Sequence, residues 1–387
     1  MSEHALDPLP DTLDDHEWIS WLRLSLAEGI GRIRANHLLD RYGTPEGVLA
    51  QSERELAQGA GLPAGIAAKL ASSLGDHEAR NELARLRKLG ATLVHLRSER
   101  YPPLLRETRY PPVVLGYLGQ SFPVTERAVA IVGSRQASAR AIRIAHDFAR
   151  EIAEAGVVVV SGLAKGIDRA AHEGALAARD GKTVAVLGNG LARVYPSEHA
   201  RLAARIRERG ALVSELPADA PPSRHHFPMR NRIIAGMSRG TLVLAAGDES
   251  GALITARHSN EEGRDVFAIP GSLDDPLARG CHKIVKGGWG QLVEGARDVL
   301  LTLKLVLDRP NVDERPALRP REKRAPLPGV PGEIEAYLEA SGTTRTFDEI
   351  VIDNRLDARA AMSALGFLAV RRRVKEIPGV GYAVSEA

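Results

Sequence analysis

Five short glycine-bearing segments have the residue types to hold a phosphate: Gly133-Ser134-Arg135, Ser161-Gly162-Leu163-Ala164-Lys165-Gly166-Ile167-Asp168, Gly188-Asn189-Gly190, Asp248-Glu249-Ser250-Gly251 and Pro270-Gly271-Ser272. Each follows a short apolar, β-rich run. Glycine lets backbone approach a ligand closely. A helix opening after such a loop offers free N–H groups and a favourable dipole to an anion. One glycine after a strand is ordinary turn chemistry. Five at successive strand ends would face one edge of a sheet. Arg135 and Lys165 add full positive charge. The chemistry implied is capture of a phosphate-bearing ligand, with Gly133, Ser134, Arg135, Gly162, Lys165, Gly166, Ser250 and Gly251 as candidate contacts.

A second constellation is Arg224-His225-His226-Phe227-Pro228-Met229-Arg230-Asn231-Arg232-Ile233-Ile234-Ala235-Gly236. It places cations and an aromatic around a helix start, and Phe227 is one of only six phenylalanines. An aromatic beside phosphate-binding cations suits a nucleic-acid single strand, because every base offers a face to stack. Arg224, Phe227, Arg230, Asn231 and Arg232 therefore join the candidates.

Other ligands and chemistries fit less well. The first loop lacks the second and third glycines of a dinucleotide fingerprint, and no ribose-binding acid ends the second core strand. Gly181-Lys182-Thr183 is not a Walker A loop, because Leu176 stands where its first glycine belongs and a strand follows instead of a helix. Gly236-Met237-Ser238-Arg239-Gly240 matches a nucleophile elbow in letters only, since the order there is helix then strand. His225 and His226 are adjacent and do not share a helix face, and no Cys-x-x-Cys or His-Glu-x-x-His occurs. The sequence gives no metal, cofactor or catalytic assignment. Asp168, Glu215 and Asp248 fit the role of orienting arginines better than that of reacting groups.

The elements needed to position these loops are legible as alternation. β-rich runs at Thr92–Leu96, Val113–Leu118, Val129–Val132, Val157–Val160, Val184–Leu187, Leu212–Ser214, Leu242–Ala245 and Val266–Ile269 alternate with helical stretches such as Ala139–Ala155 and Asp168–Ala178. Continuous apolar strands joined by helices predict a mostly parallel, doubly wound α/β sheet covered on both faces, Rossmann-like by its right-handed crossovers. This domain spans 89–307. Before it, residues 18–88 predict short helices with two glycine turns, Gly29-Ile30-Gly31 and Gly59-Ala60-Gly61-Leu62-Pro63. A Gly-x-Gly between helices fits a phosphate-contacting helix-hairpin-helix or a plain helix–helix turn equally well. Residues 1–17 are acidic and Pro-punctuated and predict a disordered tail without signal-peptide character. Residues 308–332 are rich in proline and arginine and predict a linker. Residues 333–387 predict three helices and a terminal hairpin about Pro378-Gly379, the pattern of a small winged helix. Its basic stretch Arg371-Arg372-Arg373 fits either DNA binding or a solvated edge.

With 387 residues the chain is long enough for two or three domains. Its net charge of +3 would not by itself indicate nucleic acid, although arginines crowd into 201–239 and 315–324. The single cysteine, Cys281, excludes an internal disulfide framework and fits a reducing compartment. No apolar run reaches the length of a membrane span. A cytoplasmic protein is expected.

The strings Ile131-Val132-Gly133-Ser134-Arg135, Ser161-Gly162-Leu163-Ala164-Lys165-Gly166-Ile167-Asp168, Tyr195-Pro196, Phe227-Pro228-x-Arg230-Asn231-Arg232-Ile233-Ile234-Ala235-Gly236, Ser250-Gly251-Ala252-Leu253-Ile254-Thr255 and Gly263-Arg264-Asp265-Val266-Phe267-Ala268-Ile269-Pro270-Gly271 occur in order over about 110–300. Together they resemble the DNA-processing protein A (DprA, or Smf) family. The resemblance implies an extended Rossmann domain, with a sterile-alpha-motif-like helical domain before it and, in some members, a winged helix after it. It implies a protein without enzymatic chemistry that binds and shields incoming single-stranded DNA, loads RecA recombinase during natural transformation and recombination, and acts as a homodimer through the Rossmann domain. Carried over by motif, the DNA pocket should include Arg135, Arg224 and Phe227. Arg224 stands where a lysine is common, Ser197 where some members have a basic residue, and Ala252 where a serine is usual. The rival expectation is a nucleotide-hydrolysing Rossmann enzyme of the phosphoribohydrolase type. Its Pro-Gly-Gly-x-Gly-Thr-x-x-Glu loop is missing here, where Asp248-Glu249-Ser250-Gly251 stands instead.

Overall fold

The apolar runs form a nine-stranded sheet in a computed structural model that describes residues 13–72, 74–120, 126–305, 327–341, 344–371, 373–377 and 381–384. Its strands are β1 (Thr92–His95), β2 (Val114–Leu118), β3 (Ala128–Gly133), β4 (Val158–Ser161), β5 (Thr183–Val186), β6 (Ala211–Ser214), β7 (Gly240–Leu244), β8 (Asp265–Ala268) and β9 (Gln291–Leu292). They lie in the order β1-β2-β6-β5-β4-β3-β7-β8-β9. β3, β4, β5, β6, β7, β8 and β9 run parallel, and β2 pairs antiparallel with β6 and β1. Eight strands fall on the predicted runs. The two-residue β9 carries too little pattern to be read in advance.

The run β5-β4-β3-β7-β8-β9 reproduces the 3-2-1-4-5-6 order of the Rossmann fold, with β6, β2 and β1 extending one side. The chain winds outward from β3 in both directions, so a crevice opens between β3 and β7 beyond their carboxyl ends. β3, β4 and β5 are buried on both faces, which is why they read as unbroken apolar strings. One face packs on Ile131, Ala149, Ile152, Ala171 and Phe267. The other packs on Val132, Val160, Val186, Ile233 and Leu253.

The helices ahead of the sheet begin at Asp15–Leu26, where Asp14 forms a capping box with Glu17, slightly before the expected boundary at 18. Most of the predicted tail, residues 1–12, lies outside the described residues. These helices share a core with the sheet: Trp18, Leu22 and Leu83 pack in one cluster with Val113, Leu187 and Leu212. Asn36 Nδ2 donates to Pro111 O at 2.9 Å, and Glu82 Oε1 accepts the Ala218 N–H at 2.6 Å. Residues up to Leu307 accordingly form one unit.

A second unit follows from Asp308. Residues 308–326 of the predicted linker lie outside the described residues. Helices Val330–Ser341, Phe347–Asp353 and Ala358–Val370 precede an antiparallel pair, Val374–Ile377 with Gly381–Val384, and Arg345 bridges to Tyr382. The turn about Pro378-Gly379 and Arg372 lie outside the described residues. Arg373 is buried, and its Nε donates to Glu335 Oε1 at 2.7 Å, which places this cation inside the unit's own core.

Candidate nucleic-acid interface

A cleft of about 900 Å³ opens at the crevice beyond β3 and β7. The end of β3 and the loop after it supply Gly133, Ser134 and Arg135, the loop after β4 Ala164, that after β5 Tyr195, the loop and helix start after β6 Arg224 and Phe227, and the loop and helix start after β7 Ser250 and Gly251. Three of the five glycine loops line the crevice with their own residues. The Gly188-Asn189-Gly190 loop reaches it only through Tyr195 beyond it, and Gly271 packs against Ala278, with only Leu277 beyond it lining the cleft.

The helix His226–Gly236 forms one wall. Phe227, Arg230, Asn231 and Ile234 face the cleft, at the helical spacing i, i+3, i+4, i+7. Arg232 falls on another face, where it ion-pairs with Glu215 and donates to Tyr110 O at 3.4 Å. Arg135 and Arg224 are exposed. The Arg135 guanidinium carbon lies 5.4 Å from the Phe227 ring centroid. Such a stack is worth roughly 0.5–1 kcal/mol where exposed.

Arg230 lines the cleft yet is only 5% exposed. Its Nη1 donates to Gly162 O at 2.8 Å and to Val186 O, and its Nε donates to Asn231 Oδ1 at 3.2 Å. Burial pulls its pKa down to about 10, while the Asp168 carboxylate acts in the opposite sense. Asp168 is itself buried and accepts the N–H groups of Gly162 at 3.1 Å and Ala164 at 3.3 Å. Burial raises its pKa, and Arg230 and the two N–H groups oppose that rise. A buried cation and a buried acid therefore shape the floor from below, Asp168 by holding the loop's own N–H groups and acting on Arg230 through its charge. Glu215 and Asp248 lie elsewhere, Glu215 with Arg232 and Asp248 with Lys283 at 2.9 Å.

Gly162 sits beneath the cleft against Arg230, with no room for a Cβ. Gly166 has φ +75° and caps the helix Ile167–Ala177; a Cβ there would run into Ser134 O. Only glycine meets both demands. Lys165 turns outward and pairs with Glu198 at 2.8 Å. The intervening Leu163 is fully buried with φ 58°. Its N–H donates to His172 Nε2 at 3.3 Å, and its carbonyl accepts from His199 Nδ1 at 2.9 Å.

Ser250 caps the helix Gly251–Glu261, whose N-terminus faces the cleft, and Ser134 Oγ accepts the Gln136 N–H at 3.0 Å. Among the described residues, no histidine or cysteine lines the cleft. The arrangement therefore offers an anion exposed arginines, helix N-termini and glycine backbone, and offers a flat group an aromatic wall. Tyr195 and Asp168 line the cleft without having been singled out as contacts. The Tyr195-Pro196 string pointed to the first, and the acid at the start of a helix after a glycine loop pointed to the second. Among the described residues, no helix is long and apolar enough to cross a membrane.

The profile of the DNA recombination-mediator protein A family matches residues 92–304. The chain is 36% identical over 318 residues to Protein Smf of Escherichia coli (strain K12), covering 82% of each protein. It is 45% identical over 200 residues to DNA processing protein DprA of Streptococcus pneumoniae (strain ATCC BAA-255 / R6), covering 52% of this chain and 70% of that one. Among solved structures, DprA from Streptococcus pneumoniae superposes with a TM-score of 0.64 at 34% identity, covering 75% of this chain and 98% of that chain. DNA processing protein A from Helicobacter pylori, solved to describe its single-stranded DNA binding mode, superposes with a TM-score of 0.50 at 26% identity, covering 55% of this chain and 95% of that chain. With the sheet order, the loop motifs and these likenesses in agreement, the chain belongs to the DNA recombination-mediator protein A family.

Proposed function

We propose that this chain binds single-stranded DNA in the cleft at the β3–β7 crossover and hands the strand to RecA recombinase, with no chemistry of its own. The observation that carries the reading is the meeting of Arg135, Arg224 and the aromatic wall in one open cleft. Phosphates rest on Arg135, Arg224 and the glycine backbone at Gly133 and Gly251, and bases lie along the aromatic side. Gly162, Gly166, Arg230 and Asn231 hold that surface in shape. The binding mode named for the Helicobacter pylori relative supports the ligand, and the family's description as a recombination mediator supports the handover. The protein works in the cytoplasm as a homodimer through the Rossmann domain, whose two clefts give a longer footprint. The C-terminal unit is a winged helix in this reading.

The test is fluorescence anisotropy with labelled single- and double-stranded oligonucleotides across a salt series, for the chain and Arg135→Ala. Single strands should bind more tightly, and affinity should fall steeply with salt. The variant should bind weakly, with a log–log salt slope shallower by about 0.7 for the one phosphate lost. Equal binding of duplex together with an unimpaired variant would refute the cleft assignment. Release of free base from a nucleoside monophosphate would favour the hydrolase instead.

A further inference from the structure

An aromatic ring stacks a base only on a face that nothing else holds. The Phe227 ring is already occupied. A Cβ added at Gly188 would stand 2.5 Å from Phe227 Cδ1 and 2.9 Å from Cε1, so the Gly188 backbone lies against the ring. The Arg135 guanidinium lies over the ring, and the Tyr195 ring packs beside it at 5.7 Å between centroids, tilted by 35°. Phe227 is accordingly half-buried.

Tyr195 shares that one ring contact but carries neither the guanidinium nor the Gly188 backbone that lie on Phe227. It lines the same cleft, is 44% exposed, and makes no hydrogen bond through its hydroxyl to another described residue. Its backbone is nevertheless tied down. The buried Asn189 donates from Nδ2 to Gly190 O at 2.9 Å and to Arg193 O at 2.7 Å. The Gly190 and Ala192 N–H groups bond to Ala220 O and Ala218 O, each at 2.9 Å. A large ring with two rotatable bonds on a fixed loop meets a partner with little entropy to lose.

We infer that Tyr195 is the residue on which a DNA base stacks, and that Phe227 is the seat that aims Arg135 at the adjoining phosphate. The inference rests on the single-strand reading and divides the labour within that site. Arg135 reads charge, Tyr195 reads the presence of a base, and Phe227 couples the two without itself meeting the base. Because every base has a π-face, Tyr195 would favour strands that carry bases without choosing among them.

The test uses the full chain and two probes of equal length: an oligothymidylate, and a strand with the same phosphates but abasic sugars throughout. A 2-aminopurine placed within the thymidylate reports stacking directly. Tyr195→Ala should weaken thymidylate binding about 5- to 150-fold, the range for one stacked base. It should leave abasic binding and the salt slope unchanged, and it should abolish the 2-aminopurine quenching. Tyr195→Phe should restore all three. Unimpaired thymidylate binding by Tyr195→Ala overturns the inference, and so does an equal loss on both probes. The two readings fail separately. An undiminished Arg135→Ala sinks the cleft itself, whereas a weakened Arg135→Ala beside a normal Tyr195→Ala sinks only the assignment of the platform.

Discussion

The buried His172 makes the folded protein acid-sensitive in a way that can be worked out from its bonds. Its Nε2 must be unprotonated to accept the Leu163 N–H at 3.3 Å. Its Nδ1 faces Thr183 Oγ1 at 2.7 Å, and that hydroxyl donates in turn to Val159 O at 2.7 Å. The network suits the neutral ring. Burial first, then the charge of Arg230, carry the His172 pKa down from 6.5 to about 3. A histidine whose folded pKa is depressed contributes stability above its unfolded pKa, and that contribution is lost as pH falls from 6.5 toward 3. At pH 5 the unfolded chain is protonated at this site while the folded one is not. That spans about one and a half pH units at about 1.4 kcal/mol each, or roughly 2 kcal/mol lost relative to pH 7.5. Urea unfolding followed by tryptophan fluorescence reads this directly, because Trp18, Trp21 and Trp289 all lie in the unit that ends at Leu307. His172→Gln should be less stable at pH 7.5, since it disturbs a buried network, yet should lose roughly 2 kcal/mol less than the unaltered chain between pH 7.5 and pH 5. Equal losses in both proteins would show that His172 is not held neutral, and the account of how Leu163 is pinned would fall with it.

Two further substitutions separate floor from rim. Arg230→Met should destabilise the same unit by roughly 1–3 kcal/mol for each carbonyl left unpaired, at Gly162 and Val186, in urea titrations at pH 7.5. Arg230→Lys should not restore it, because an ammonium lacks the planar fork that reaches both carbonyls and Asn231. Arg224→Ala should cost about tenfold or more in single-strand affinity, the worth of one hydrogen bond to a charged phosphate. Arg232→Ala should cost less than about twofold, because its guanidinium is engaged by Glu215 away from the cleft. Anisotropy titrations of the two variants side by side would refute the placement if their order were reversed.

How far the sequence could carry these assignments depends on what each signal measures. Unbroken apolar strings report burial on both sheet faces, so the β3 to β8 core and the edge bearing its loops were legible. A glycine after a strand reports only that backbone must pass closely; Gly271 meets Ala278 where Gly162 meets Arg230, and the two look alike in letters. The string around Arg230 held more information than its charges alone conveyed. Once it is known to be a helix, the 3.6-residue period puts Phe227, Arg230, Asn231 and Ile234 on one face and turns Arg232 away. The period does not say that the facing cation is buried, because depth is set by the Gly162 carbonyl just beyond β4 and the Val186 carbonyl of β5, which arrive from far along the chain. The same limit hid the difference between the two aromatics. Phe227 and Tyr195 both stand beside proline in the sequence and both line the cleft, and only the fold brings the Gly188 backbone and Arg135 onto the Phe227 ring while leaving Tyr195 more exposed. Local chemistry names the groups able to meet a strand of DNA, and long-range packing decides which of them are free to do so.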